Sequence, residues 1–249
     1  MKLNCVKYLS KTLSRLIPEK LVILCIERYF SALPLSATPE KAVRIICTSQ
    51  DILHSALNQA AMLHEPTGLH PKHRIMHYHD FFAERVMPGD RVLDIGCGIG
   101  AVAYAIAERG GEVTAVDISE GNIESAKKMN AHPKIQYICA NALDYMSEKD
   151  IDVIIMSNVL EHIENRVGFL HNLVTSLSDA RYLFRVPGKD RHWSIYFREE
   201  LGLNWMLDET HYTEYTTKSF YNELNAAGLE IIHCEYQWEE IWAEAIHRR

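Results

Sequence analysis

Seven consecutive residues, Asp94-Ile95-Gly96-Cys97-Gly98-Ile99-Gly100, carry more chemistry than any other stretch of the chain. They follow the apolar pair Val92-Leu93, and after the carboxylate three glycines fall at alternate positions. A helix-compatible stretch comes next, and then a second apolar run, Val113-Thr114-Ala115-Val116, that ends in Asp117. The pattern reads strand, glycine turn, helix, strand, acid. Glycines lack Cβ, so a bulky ligand can approach the backbone and the turn can adopt unusual dihedrals. Unpaired amides at the start of the following helix suit polar ligand groups. Asp117, at the carboxyl end of its strand, is placed to accept hydrogen bonds from both hydroxyls of a ribose. A nucleoside-containing cofactor is therefore expected.

Gly-x-Gly alone does not say which cofactor, because dinucleotide-binding enzymes share it. Three details favour S-adenosylmethionine over a nicotinamide dinucleotide. Asp94 stands two residues before the first glycine, where it would repel a pyrophosphate but attract a cationic methionine end. The third glycine comes one residue early for the dinucleotide fingerprint. No basic residue lies in the turn to offset phosphate charge.

With Val116-Asp117-Ile118-Ser119 downstream and Ser157-Asn158-Val159-Leu160-Glu161-His162-Ile163 further on, the chain resembles class I S-adenosylmethionine-dependent methyltransferases. It is most similar to the branch of type 11 methyltransferases that includes the ubiquinone-pathway O-methyltransferases, over roughly residues 70 to 245. The pieces at 71–82, 158–166, 185–187, 190–193 and 211–216 also resemble uncharacterised members, some found beside bacterial surface-polysaccharide genes. The resemblance implies S-adenosylmethionine as cofactor, held by Asp94, Gly96, Cys97, Gly98, Asp117 and Ile118. Cys97 is read mainly as the small packing side chain that the turn needs. Asn141 stands where the family often has an aspartate facing the adenine amino group, and its side-chain oxygen can still accept that bond. The Ala142 amide would meet an adenine ring nitrogen; a plain turn is the other reading for both residues. Ser157 and Asn158 would lie beside the methionine part and the donated methyl. By the same resemblance the helix before the first strand lids the cofactor, which makes Lys72, His73 and Tyr78 contacts for its carboxylate or for the acceptor.

An activated sulfonium needs little catalytic machinery beyond near-attack alignment. An oxygen nucleophile also benefits from a base, and His162 and His211 are the two candidates. The competing reading of His162 is a helix-start histidine bonded to backbone. Arg185, Asp190, Trp193 and Tyr212 come from the aromatic and charged segment that follows the fifth expected strand and would bind the acceptor. Their chemistry suits a hydroxylated ring, a lipid-like or a saccharide-like small molecule; a lid or dimer interface would have similar composition. A neutral amine acceptor would need no base. His73 and His77 share a helical face at i, i+4, but no cysteine or carboxylate cluster joins them, and no metal is expected.

These residues need a scaffold, and 249 residues provide for one sizeable α/β core plus an extra helical segment. Alternating helix and strand signals predict an α/β fold with a mostly parallel sheet behind an N-terminal helical extension, and the resemblance implies its Rossmann-like, seven-stranded form with an antiparallel closing strand. Residues 1–70 form the extension and 71–249 the methyltransferase domain. Strands are expected near 91–95, 112–117, 134–138, 151–157, 180–186, 229–236 and 238–246, and helices near 72–86, 99–109, 119–130, 163–177 and 217–227. In the extension, Pro18, Pro34 and Pro39 separate a first helix from others at about 19–32 and 39–63.

Composition narrows the partners. A net charge of -7 argues against nucleic acid as substrate. The six cysteines have no Cys-x-x-Cys spacing, which fits reduced thiols in the cytoplasm. No apolar run is long enough to span a bilayer. Six basic residues against two acidic ones in the first thirty suit an anionic membrane surface, or else a helix packed on the catalytic domain or on a partner subunit in a homodimer. Two other classes compete: an NAD(P)-binding oxidoreductase, and a non-catalytic module of the same fold that binds a partner or membrane.

Overall fold

The computed structural model describes residues 17–145 and 150–248, so the helix expected before Pro18 lies outside the described residues. The chain divides into two compact units, Met1–His70 and Pro71–Arg249. In the first, α1 spans Glu19–Ser36 and α2 spans Pro39–His64. Thr38 caps α2 by accepting the Lys41 N–H at 3.4 Å, and Pro39 sits in the first turn, where a missing N–H is harmless. Pro34 does not end α1, contrary to the sequence expectation. It falls in the last turn, Leu33 is buried beside it, and the helix closes with the Ala37 N–H on the Leu33 carbonyl at 3.1 Å. Among the described residues no helix is long and apolar enough to cross a membrane.

The second unit runs α3 (Lys72–Ile75), α4 (Tyr78–Ala83), β1 (Arg91–Ile95), α5 (Ala101–Glu108), β2 (Glu112–Asp117), α6 (Glu120–Met129), β3 (Ile135–Cys139), β4 (Val153–Ser157), α7 (Arg166–Ser176), β5 (Arg181–Pro187), α8 (Trp193–Glu200), α9 (Thr217–Ala226), β6 (Leu229–Gln237) and β7 (Glu240–His247). Short 3-10 turns cover Leu160–His162 and Lys189–Arg191. The seven strands form one sheet in the order β3-β2-β1-β4-β5-β7-β6. The first five are parallel, and β7 runs antiparallel to both β5 and β6. This is the Rossmann-like, mostly parallel sheet with antiparallel closure that the sequence predicts.

Strand periodicity of two assigns every side chain to a face. On one face Leu93, Ile154, Met156, Tyr182, Phe184 and Val186 pack under α7 and α9. On the other, Val92, Val113, Val153, Ile155, Leu183 and Trp242 pack under α4 and α5. Both faces are covered, which explains why β4 reads as an unbroken apolar run rather than an alternating one. The same parity puts Asp94, Ser157 and Arg185, each near a strand's carboxyl end, on the α4 side.

The helix expected over 72–86 is broken. His77 is left-handed at φ 49, which separates α3 from α4 and lets Tyr78 turn inward, where it is buried. The break also takes His77 off the face of His73. The segment after β5 contains α8, an element the sequence reading left unassigned, and α7 begins three residues later than expected because the 3-10 turn and Asn165 cap precede it.

Arg185 is 3 % exposed, and its charge is neutralised locally. Its Nε and Nη2 donate to Glu240 on β7 at 2.6 and 2.7 Å, and Trp242 Nε1 donates to the same carboxylate at 3.0 Å. The guanidinium lies 4.0 Å from the centre of the Tyr78 ring, and its Nη1 donates to Ser157 Oγ at 3.3 Å. Removing one partner of a buried pair strands the other charge. Glu240→Ala should lower stability by about 3–5 kcal/mol, read by urea denaturation; a loss under about 1 kcal/mol would show that the pair does not hold this corner together.

Candidate active site

The glycine turn joins β1 to α5 with three left-handed glycines, Gly96, Gly98 and Gly100. Gly96 and Cys97 donate to the Val116 carbonyl at 2.7 and 3.0 Å, and Asn130 Nδ2 holds the Ile99 carbonyl at 2.7 Å. The three glycines serve different needs. A Cβ at Gly96 would strike Val159, and one at Gly100 would strike the Tyr137 ring. A Cβ at Gly98 would meet nothing within 4 Å. The open space at Gly98 is where a ligand can lie against the backbone.

Asp117 is buried and already engaged. Its Oδ2 accepts the Gly98 N–H at 2.9 Å, while Oδ1 accepts from Ser119 N–H at 2.8 Å and Asn122 Nδ2 at 3.1 Å. The carboxylate therefore shapes the turn, a role that sequence reading missed. One lone pair on Oδ2 stays open for a ribose hydroxyl.

Two cavities meet at Gly96 and Asn158, at the carboxyl ends of the strands. The larger, about 510 Å³, is lined by Asp117, Ile118, Asn141, Ala142 and Leu143 on one side and by Val159, His162, Ile163, Glu164 and Tyr212 on the other. The smaller, about 210 Å³, is lined by Lys72, His73, Tyr78, Asp94, Cys97, Gly98, Ser157 and Arg185. All twelve residues that sequence reading assigned to the cofactor line one or the other. Asn141 is turned inward on itself: its Oδ1 accepts the Leu143 N–H at 3.0 Å, and its Nδ2 donates to Asp144 at 3.1 Å.

The smaller cavity is electrically unusual. Asp94 is 1 % exposed, and its Oδ2 has no hydrogen-bond partner. Burial, and then the nearby Asp117 charge, pushes its carboxyl up to about 8. Burial and then Arg185 lower the Lys72 ammonium. Tyr78 shares a 2.8 Å hydrogen bond with His73 Nδ1, and burial raises its hydroxyl to about 12. His79 Nε2 lies 3.3 Å from the same His73 nitrogen, and burial, followed by His73, drives it down to about 4. Once ionised, Asp94 shares the cavity with Lys72 and His73, an arrangement that suits a zwitterion carrying an extra positive charge. The methionine portion of S-adenosylmethionine would suit it, with Asp94 as the candidate for its cations and Lys72, His73 and Arg185 as candidates for its carboxylate.

His162 lines the larger cavity, and its tautomer follows from its neighbours. Thr210 Oγ1 donates to Asp208 Oδ1 at 2.7 Å, so its one proton is committed. The 2.9 Å contact with His162 Nδ1 must then run from the histidine to the threonine, which leaves Nε2 with its lone pair. Part of the ring meets solvent, yet desolvation, and then the facing His211, lowers its pKa. His211 sits behind it, ring centroids 4.7 Å apart, with Nδ1 bonded to Glu214 at 3.0 Å. Glu161 is buried with Oε2 unpartnered, and burial raises its carboxyl to about 7. One ligating atom from each of Glu161, His162 and His211 lies within 4.8 Å of the others, a donor set able to hold a cation.

The segment after β5 is organised by an ion pair that the sequence did not reveal. Arg191 pairs with buried Glu214 and also donates to the Gly188 and Trp205 carbonyls, both at 2.7 Å. Burial works against Glu214, but hydrogen bonds from His211 and Leu207 and the Arg191 charge hold its carboxyl low. The Tyr212 N–H donates to the Glu161 carbonyl at 2.8 Å, which ties the segment to the cavity wall. Of the four residues expected to meet the acceptor, Tyr212 lines the larger cavity and Arg185 the smaller. Asp190 instead accepts a hydrogen bond from Tyr196, and Trp193 is 69 % exposed; neither lines either cavity.

Residues 68–234 match the family described as a methyltransferase domain. The chain belongs to this family and is a class I S-adenosylmethionine-dependent methyltransferase, with S-adenosylmethionine as its cofactor. Curated relatives include the ubiquinone biosynthesis O-methyltransferase of Rickettsia canadensis (strain McKiel), 34% identical over 149 residues, which are 56% of this chain and 62% of the relative. The enzyme of the same name from Rickettsia felis is 41% identical over 86 residues, 33% of this chain and 35% of that one. The chain thus spans less than two thirds of these relatives' length. Magnesium protoporphyrin IX methyltransferase from Synechocystis PCC 6803, solved with bound SAH, shares the fold at TM-score 0.55 and 18% identity, covering 72% of this chain and 83% of its own. An S-adenosylmethionine-dependent methyltransferase structure from Listeria monocytogenes does so at 0.54 and 19%, over 70% of this chain and 100% of its own. The family match sets aside the nicotinamide oxidoreductase reading.

Two binding experiments follow. The Asp94 carboxyl must ionise to attract the cationic methionine end, so affinity for S-adenosylmethionine should rise as pH rises through about 8 and be weaker below it. Calorimetric titration across that range should show this slope in the wild type and a flat, weaker response in Asp94→Asn. Gly98→Ala should fold with about 1 kcal/mol of strain at its left-handed φ but lose about tenfold or more in cofactor affinity. Gly96→Ala should instead lose stability, read as an earlier thermal midpoint, because its methyl meets Val159 rather than ligand.

Proposed function

We propose that this enzyme transfers the S-adenosylmethionine methyl group to a hydroxyl oxygen of a small-molecule acceptor, with His162 as the general base and a hydroxylated aromatic ring as the preferred acceptor class. The observation that carries this reading is the hydrogen-bond chain Asp208–Thr210–His162, which assigns the proton to Nδ1 and the lone pair to Nε2 of a histidine that lines the larger cavity. The Rickettsia relatives are O-methyltransferases of ubiquinone biosynthesis, which supports oxygen as the methylated atom.

In this reading Ile118 and Leu143 flank the adenine, and Asp117 takes a ribose hydroxyl. Ser157 and Asn158 lie where the two cavities meet, beside the transferred methyl. Bound there, the cofactor supplies an activated methyl group. His162 Nε2 removes the acceptor hydroxyl proton as the oxygen bonds to carbon, and the imidazolium that results is stabilised through Thr210 by the Asp208 charge. Tyr212 offers an aromatic wall to the acceptor, and His211, fixed by Glu214, keeps the His162 ring in place. A cytoplasmic location belongs to the same reading.

His162→Ala should lower kcat by about 10²–10⁴-fold with S-adenosylmethionine affinity unchanged. Because the surroundings lower the His162 pKa, its base form persists below the ordinary histidine value of about 6.5. Wild-type activity should therefore hold to mildly acidic pH before falling, and the variant should lose that limb. The assay is S-adenosylhomocysteine release, with mass spectrometry of the product, over a panel of phenols, hydroxylated lipids, sugars and amines. Methylation confined to amines, or an unaltered pH profile in His162→Ala, would overturn the proposal.

A further inference from the structure

Helix α1 displays six consecutive apolar residues, Leu21-Val22-Ile23-Leu24-Cys25-Ile26, and all of them are exposed. Among them Val22 is 38% exposed and Ile23 54%. At about 100° per residue Leu21, Cys25, Val22 and Ile26 fall within one arc of about 140°, so the run presents a continuous apolar side. The contact α1 does make lies at its other end, where Leu33 is buried, with Ala42 and Cys47 buried on α2. A contiguous apolar surface of this kind marks an interaction site.

Charge identifies the partner. Residues 1–18 contain Lys2, Lys7, Lys11 and Arg15 and no acidic residue, although the whole chain carries a net charge of -7. Lys20 and Arg28 bracket the apolar run. Anionic lipid headgroups complement such a surface. Helix α1 is 18 residues long and carries Glu19, Lys20, Glu27 and Arg28, and no described helix meets the requirements of a membrane span. The geometry suits a helix lying in the headgroup layer with its apolar residues at the acyl boundary.

We propose that the first unit docks this enzyme on an anionic lipid surface, with residues 21–26 inserted at the interface and the basic residues of positions 1–28 against the headgroups. The test is flotation of the full chain with vesicles of phosphatidylcholine alone and of phosphatidylcholine containing phosphatidylglycerol. Wild type should bind the anionic vesicles about tenfold or more tightly than the neutral ones, and added salt should weaken this binding. Leu21→Glu/Ile23→Glu/Ile26→Glu should abolish flotation, and Lys2→Gln/Lys7→Gln/Lys11→Gln/Arg15→Gln should erase the preference for anionic lipid. Both variants should titrate S-adenosylmethionine like the wild type, which shows that the second unit is intact. Failure of the wild type to float, or equal flotation of the triple-glutamate variant, overturns the proposal. So does a wild-type dimer, seen by light scattering and lost in that variant, without any vesicle binding.

Discussion

Burying a guanidinium inside a parallel sheet is the constraint around which the second unit is built. Arg185 is almost wholly buried, so β7 presents Glu240, β4 ends in a hydroxyl, and Tyr78 offers its ring. Tyr78 can do so only because the chain turns sharply at His77, which splits what would otherwise be one helix. The antiparallel closing strand thus does more than finish the sheet, since it carries the counter-charge for a residue at the floor of the smaller cavity. With Arg185 committed to Glu240, Asp94 Oδ2 stays without a hydrogen-bond partner in the same cavity.

The two cavities divide the work by polarity. The smaller holds fixed charges in a confined space, where electrostatic attraction is strong because water is scarce. The larger has an apolar flank made by Ile118, Leu143, Val159 and Ile163 and is suited to flat rings. The glycine turn runs between them, and Asp117 braces it from below through the Gly98 amide. A cofactor with a charged head and an aromatic tail can span both.

The sheet, its order of elements and the lining of the cofactor cavities were legible because each depends on local signals. Glycine spacing, apolar runs ending in acids, and a strand period of two all lie within a few residues. The missed features join residues far apart in sequence. Glu240 meets Arg185 across 55 positions, and Thr210 meets His162 across 48. Glu214 sat within a recognised segment, but its partner Arg191 lies 23 residues earlier. The break at His77 was equally hidden, because a histidine carries no signal for left-handed backbone. Asp190 and Trp193 have the chemistry of acceptor-binding groups, yet Asp190 is bonded to Tyr196 and Trp193 is exposed, and neither lines either cavity. Composition marks the segment but not which of its residues line a cavity.

The segment after β5 touches the cavity wall through more than its surface. Thr210 sets which nitrogen of His162 carries the proton, and the Tyr212 amide holds the backbone of Glu161. An exchange of this segment for that of a relative would therefore do more than reshape the acceptor pocket. It would also remove the group that decides the protonation state of the histidine beneath it. In the proposed reaction acceptor choice and proton handling would be inherited together, so a transplant that fits a new acceptor would still have to restore the threonine and aspartate bonded to the ring.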